Sequence, residues 1–175
     1  MKRSLIAASV LSAVFMSAGA FAAEYDSGVL NINGKVVGTT CQFVDTNTAE
    51  IRLNEIGADK LSAVSPGTIY DAVTNQTQVP LKIKCQPNVT PRITFVSTQF
   101  DSNNFTLNNG SAKGVGFAVY YGNTDSQIDP QTGVTLEPNK DGVYDLTFLA
   151  RYARLAGDVE KGEVSSTLTL TVVTD

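Results

Sequence analysis

One stretch near the end of the chain constrains its fold more than any other. From Val164 to Val173, the residues Val164, Ser166, Leu168, Leu170 and Val172 alternate with Ser165, Thr167, Thr169, Thr171 and Val173. A helix would scatter the apolar members around its circumference. An extended chain gathers them on one face, because successive side chains of a strand point to opposite sides. The segment therefore reads as a half-buried strand.

Shorter runs repeat the pattern. Val79, Leu81, Ile83 and Cys85 alternate with Pro80, Lys82 and Lys84, and Ile93 and Phe95 alternate within 92–97. Val115, Phe117, Val119 and Tyr121 form another face, as do Leu146, Phe148, Ala150 and Tyr152. Valine and threonine each occur 19 times, a β-branched load that suits pleated strands better than helices. Turn-forming clusters separate the runs, among them Asp101-Ser102-Asn103-Asn104, Asn108-Asn109-Gly110 and Pro138-Asn139-Lys140-Asp141-Gly142. Short strands punctuated in this way predict an all-β chain, an antiparallel sandwich. The stretch Ile56 to Ala72 has mixed spacing and is broken by Pro66-Gly67, so it reads as loop with one helical turn.

The first 22 residues read as a secretory signal. Lys2 and Arg3 precede the apolar run Leu5 to Met16, and Ala20-Phe21-Ala22 places small residues at a cleavage site. Removing them leaves 153 residues, enough for one domain, and lowers the formal charge from −4 to −6. Such a surface repels phosphate backbones, which argues against nucleic acid as a partner. No later apolar run is long enough to span a membrane as a helix.

Histidine is absent, which removes His-assisted nucleophiles, His-based metal sites and any side chain that ordinarily titrates near neutrality. The expectation is a non-enzymatic protein without cofactor, metal or small-molecule substrate. A third-ranking enzyme reading would need two carboxylates converging in a pocket. Cys41 and Cys85 lie in a chain read as exported, where an oxidising compartment favours a disulfide, and their spacing is not C-x-x-C. Closing that loop contributes about 4 kcal/mol in the chain-entropy description. The Asn-x-Ser/Thr triplets at Asn75, Asn88, Asn104 and Asn109 are ordinary products of turn asparagines and strand threonines.

The segment after the signal supports two readings. Leu30, Ile32, Gly34 and Val36 fall on one face of an extended chain, with Asn31, Asn33 and Lys35 on the other. Asn33-Gly34 between alternating apolar residues is also a hairpin signal, which would fold the segment back on itself. The alternative is that it stays extended and adds as a strand to another molecule.

Residues 30–37, Leu-Asn-Ile-Asn-Gly-Lys-Val-Val, followed after three residues by Cys41, resemble the N-terminus of subunits of chaperone-usher pili, the type 1 fimbrial family. Pro80 to Cys85 resembles that family's second cysteine strand, Gly114-Val115-Gly116-Phe117 its Gly-apolar-Gly strand entry, and Phe148 to Tyr152 its late Ala-Arg-Tyr strand. The resemblance covers residues 23–175. It implies an incomplete immunoglobulin-like β-sandwich, with a donor-strand extension over 23–36 and a pilin domain over 37–175. The extension would fill the groove of a neighbouring subunit by strand addition. Leu30, Ile32, Gly34 and Val36 are then the donor positions, and Val164, Leu168, Leu170 and Val172 line the acceptor groove.

The implied partners are other pilus subunits, a periplasmic chaperone and an outer-membrane usher, and the implied location is a cell-surface fimbrium reached through the periplasm. A single domain leaves no room for the receptor-binding domain of a tip adhesin. The chain departs from the family in ending Val172-Val173-Thr174-Asp175, where an aromatic residue is common next to last. The rival reading is a self-contained secreted sandwich that binds a ligand such as a glycan through loops near Tyr120, Tyr121 and Tyr144.

Overall fold

A computed structural model describes residues 28–36, 41–77, 79–123 and 125–174. Eleven strands follow one another along these residues: β1 (Gly28–Val36), β2 (Cys41–Val44), β3 (Thr48–Leu53), β4 (Ile69–Gln76), β5 (Leu81–Cys85), β6 (Pro91–Phe95), β7 (Val115–Tyr121), β8 (Val134–Thr135), β9 (Val143–Leu146), β10 (Phe148–Arg154) and β11 (Val164–Thr174). One short helix, α1 (Ala58–Ser62), and a 3-10 turn (Ser97–Gln99) complete the set. The largest sheet has the order β3-β1-β11-β6-β8, and the smaller sheets are β4-β10-β7 and β2-β5-β9. The result is an all-β, immunoglobulin-like sandwich.

The core lies where the sheets face each other. Phe95 on β6 meets Phe148 on β10 edge to face at 6.2 Å, and Phe148 meets Tyr121 on β7 at 5.7 Å. β11 realises the alternation read from its sequence, with Val164, Ser166, Leu168, Leu170 and Val172 all buried and the intervening residues half-buried. Cys41 and Cys85 stand directly opposite each other on β2 and β5 and form a disulfide.

The Gly-apolar-Gly entry to β7 has a steric reason. Gly114 has a φ of +67°, a left-handed conformation that L side chains rarely adopt. At Gly116 a Cβ would collide with the carbonyl oxygen of Thr106, so only glycine lets β7 approach that loop.

Several expectations are corrected. Val79 precedes β5 and is 65 % exposed, so the buried face there begins at Leu81. The run from Leu146 to Tyr152 is two strands, because the chain leaves the ladder at Thr147 and passes from one small sheet to another. The stretch read as loop holds α1, the expected helical turn, but also the first residues of β4. β7 is buried on both faces, since Ala118 and Tyr120 pack with Phe105 and Ala153 in a second small cluster. The proposed signal, residues 1–22, lies outside the described residues.

Candidate functional site

The segment 28–36 is one continuous strand, and Asn33-Gly34 forms no turn within it. β1 lies between β3 and β11, antiparallel to the first and parallel to the second. The two wall strands come from distant parts of the sequence, and among the described residues neither bonds directly to the other. β3 has no other ladder partner there, and β11 is otherwise paired to β6 only over Leu170–Thr174. Between β3 and β11 is therefore a slot one strand wide.

The floor of this slot is apolar with one polar interruption. Leu168 and Leu170 are 0 % exposed and Val172 is 1 % exposed, while Ala49, Ile51 and Leu53 are buried along β3. Ser166 is equally buried and belongs to a closed hydrogen-bond chain. Its hydroxyl donates to the Leu107 carbonyl at 2.7 Å, and it receives the Thr106 hydroxyl at 2.8 Å. Thr106 in turn accepts from the Phe117 backbone N–H at 3.0 Å. Each hydroxyl is fully used inward, so Ser166 is satisfied without any ligand.

Donor and groove positions picked from opposite ends of the chain come level with each other. The parallel register sets Leu30 beside Ser166, Ile32 beside Leu168, Gly34 beside Leu170 and Val36 beside Val172. Val164 stands level with Gly28, at the other end of the groove. There it borders a small apolar depression shared with Ile56, Leu61, Val115, Tyr152 and Val159. The second wall escaped the sequence reading, although Ala49, Ile51 and Leu53 alternate with polar residues over one short strand. Ser166 was read as one member of an apolar face, and its burial depends on Thr106, which is 60 residues away.

The tyrosines proposed for a ligand surface are mostly packing residues. Tyr120 is buried, with the Arg151 guanidinium 4.8 Å from its ring centre. Tyr144 is buried, and its hydroxyl accepts from the Asn139 backbone N–H. Burial raises the hydroxyl pKa of Tyr120 above the ordinary phenol value, and burial followed by the Asp145 charge does the same for Tyr121. Among the described residues no cluster of His, Cys, Asp or Glu could hold a metal ion.

A family model described as "Fimbrial protein" matches residues 30–174. The chain is also 31 % identical over 180 residues to the "Uncharacterized fimbrial-like protein YehD" of Escherichia coli (strain K12), covering 100 % of both chains. The chain belongs to the fimbrial protein family. The family match begins at Leu30 and so includes most of β1 together with both walls of the slot. In this fimbrial subunit the N-terminal strand and the C-terminal strand that it borders are thus parts of one family unit.

Proposed function

We propose that this protein is a structural subunit of an adhesive surface filament, polymerised head to tail by donor-strand exchange. β1 is the donor. The groove between β3 and β11, lined by Val164, Leu168, Leu170 and Val172, is the acceptor. The reading is carried by one observation: a one-strand slot whose walls have no ladder partner between them except β1. Removing β1 would open the inner edge of β11 along Val164–Val172 and leave β3 unpaired. An exposed edge above an apolar floor is an association hazard. That hazard explains why such a subunit would travel with a periplasmic chaperone that lends a strand, and be handed to an outer-membrane usher for assembly.

Seating Leu30, Ile32 and Val36 in a neighbour contributes roughly 1.5–3 kcal/mol each for full burial, before ladder bonds and ordering costs. The donating and receiving surfaces differ, so the contact need not close and propagates as a filament. Deleting residues 24–36 separates the two surfaces. The variant should accept a strand from an intact subunit yet donate none, capping filaments in mixed assembly and forming none alone. Normal filaments from the deleted subunit alone, seen by electron microscopy, would falsify the proposal.

A further inference from the structure

The acceptor strand β11 has two edges, and a free strand can add to any open one. One edge faces the groove. On the other, β6 pairs only over Leu170–Thr174, and among the described residues no strand lies against Val164–Thr169. We propose that Gln99, Asn108 and Ser111 are specificity-determining residues of strand exchange: they seal this outer edge, so that a donor strand is admitted on the groove side only. The inference rests on the strand-exchange reading above and adds the side from which a strand is refused.

The seal repeats one unit. Along a strand the N–H and C=O groups of alternate residues point to the same edge. Here Thr169, Thr167, Ser165 and the preceding Glu163 present theirs outward. The Thr169 N–H donates to Oε1 of Gln99 at 2.8 Å, and its carbonyl accepts the Val96 N–H at 3.2 Å. The Ser165 N–H donates to Oδ1 of Asn108 at 2.8 Å, and its carbonyl accepts the Asn109 N–H at 2.6 Å. The Glu163 N–H donates to Oγ of Ser111 at 2.9 Å, and its carbonyl accepts the Ala112 N–H at 3.0 Å. Each time a side-chain oxygen takes the place that a neighbouring strand's carbonyl would fill.

The sealing segment is itself held close to β11. Asn108 Oδ1 also accepts the Gly110 N–H at 2.8 Å, and Nδ2 donates to the Ala112 carbonyl at 2.7 Å, so one amide both fixes the loop and caps β11. A Cβ at Gly110 would collide with the Glu163 carbonyl oxygen, so glycine permits the close approach. Gln99 is tied to the same loop, its carbonyl accepting the Leu107 N–H at 2.9 Å.

A further strand here would only move the open edge outward by one ladder. A row of side-chain acceptors ends the sheet, because it presents no new backbone edge. Within the row, Thr167 borders a cleft of about 180 Å³ lined also by Thr98, Gln99, Leu107 and Asn109. One residue is too short a ladder to seat a strand. Each subunit then receives a single donor, and head-to-tail growth yields a filament without side branches.

A photo-crosslinking peptide with the sequence of residues 24–37, added while the full chain refolds from urea, provides the test. On the parent, crosslinks should map to β3 and β11 and not to residues 96–112, with at most one peptide per chain. The Gln99→Leu/Asn108→Leu variant should bind a second peptide, crosslinked to residues 96–112. Loss of packing alone would weaken binding and add no site. Asn108→Asp keeps the acceptor oxygen and should behave as the parent. If the double variant does not refold, Gln99→Leu with Asn108 still anchoring the loop frees the Thr169 N–H beside Thr167 and should show the same second site.

Parent crosslinks to residues 96–112, a second peptide on Asn108→Asp, or a single peptide on every Gln99→Leu variant that refolds would overturn the seal while leaving strand exchange intact. No crosslink to β3 or β11 in any of these proteins would instead remove the exchange reading, and the seal with it.

Discussion

The hydroxyls of Thr106 and Ser166 show how a polar pair can sit inside an apolar core. The bonds run in one direction, from the Phe117 N–H to Thr106, from Thr106 to Ser166 and from Ser166 to the Leu107 carbonyl. Removing the Thr106 hydroxyl strands the buried Phe117 N–H, and removing the Ser166 hydroxyl strands the buried Thr106 hydroxyl, at a cost of about 1–3 kcal/mol. Thr106→Val and Ser166→Ala should each lower stability by that amount in urea titrations. The double variant should lose clearly less than the sum, because residues of one network couple. Strict additivity would show that the chain of bonds does not act as a unit. Tyr121 makes a different kind of prediction. Burial and the nearby Asp145 carboxylate both favour the neutral phenol, so its pKa is higher folded than unfolded. Its contribution to stability is therefore intact below the unfolded value of about 10 and is lost as pH rises through the folded one. Tyr121→Phe should flatten the loss of stability between about pH 9 and about pH 11 relative to the parent. Equal slopes for the two proteins would reject that assignment.

At the scale of elements, legibility followed burial. β11 could be read from its sequence because one face is wholly buried and the other is not, the condition that produces a clean period of two. β5 and β6 were legible for the same reason, except at Val79, where alternation continues past the end of the strand. β4 was missed because its side chains are half-buried or exposed along much of its length, and because Pro66-Gly67 just before it suggested a loop. β7 misled in the opposite sense. Its second face is covered by Phe105, from a loop whose position is set by tertiary contacts, including the bonds between Thr106 and Phe117. The local hairpin signal at Asn33-Gly34 also lost to tertiary context, since β1 is a single extended strand. The floor of the groove was therefore visible in the sequence. Its second wall, and the direction in which β1 enters it, required the fold.

At the scale of the whole molecule, the short tether between β1 and the sandwich limits how subunits can be arranged. Four residues separate Val36 from Cys41, and Cys41 is fixed by its disulfide to Cys85 and by the β2–β5 ladder. Even a fully extended chain spans at most about 3.6 Å per residue, so Val36 can lie no farther than roughly 18 Å from Cys41. Under the proposed strand exchange, β1 seated in a neighbour requires that neighbour's groove to end close to the disulfide-bearing sheet of the donor. Subunits linked by so short a connection have little freedom to swing, and the filament should be stiff. Inserting six Gly/Ser residues between Val37 and Gly38 leaves the donor face, the groove and the disulfide unchanged while lengthening the tether. The inserted subunit should still polymerise, but its filaments should bend more sharply and show a longer, less regular axial repeat in electron micrographs. If curvature and repeat match those of the parent, contacts between the domains set the filament's geometry, and the tether does not.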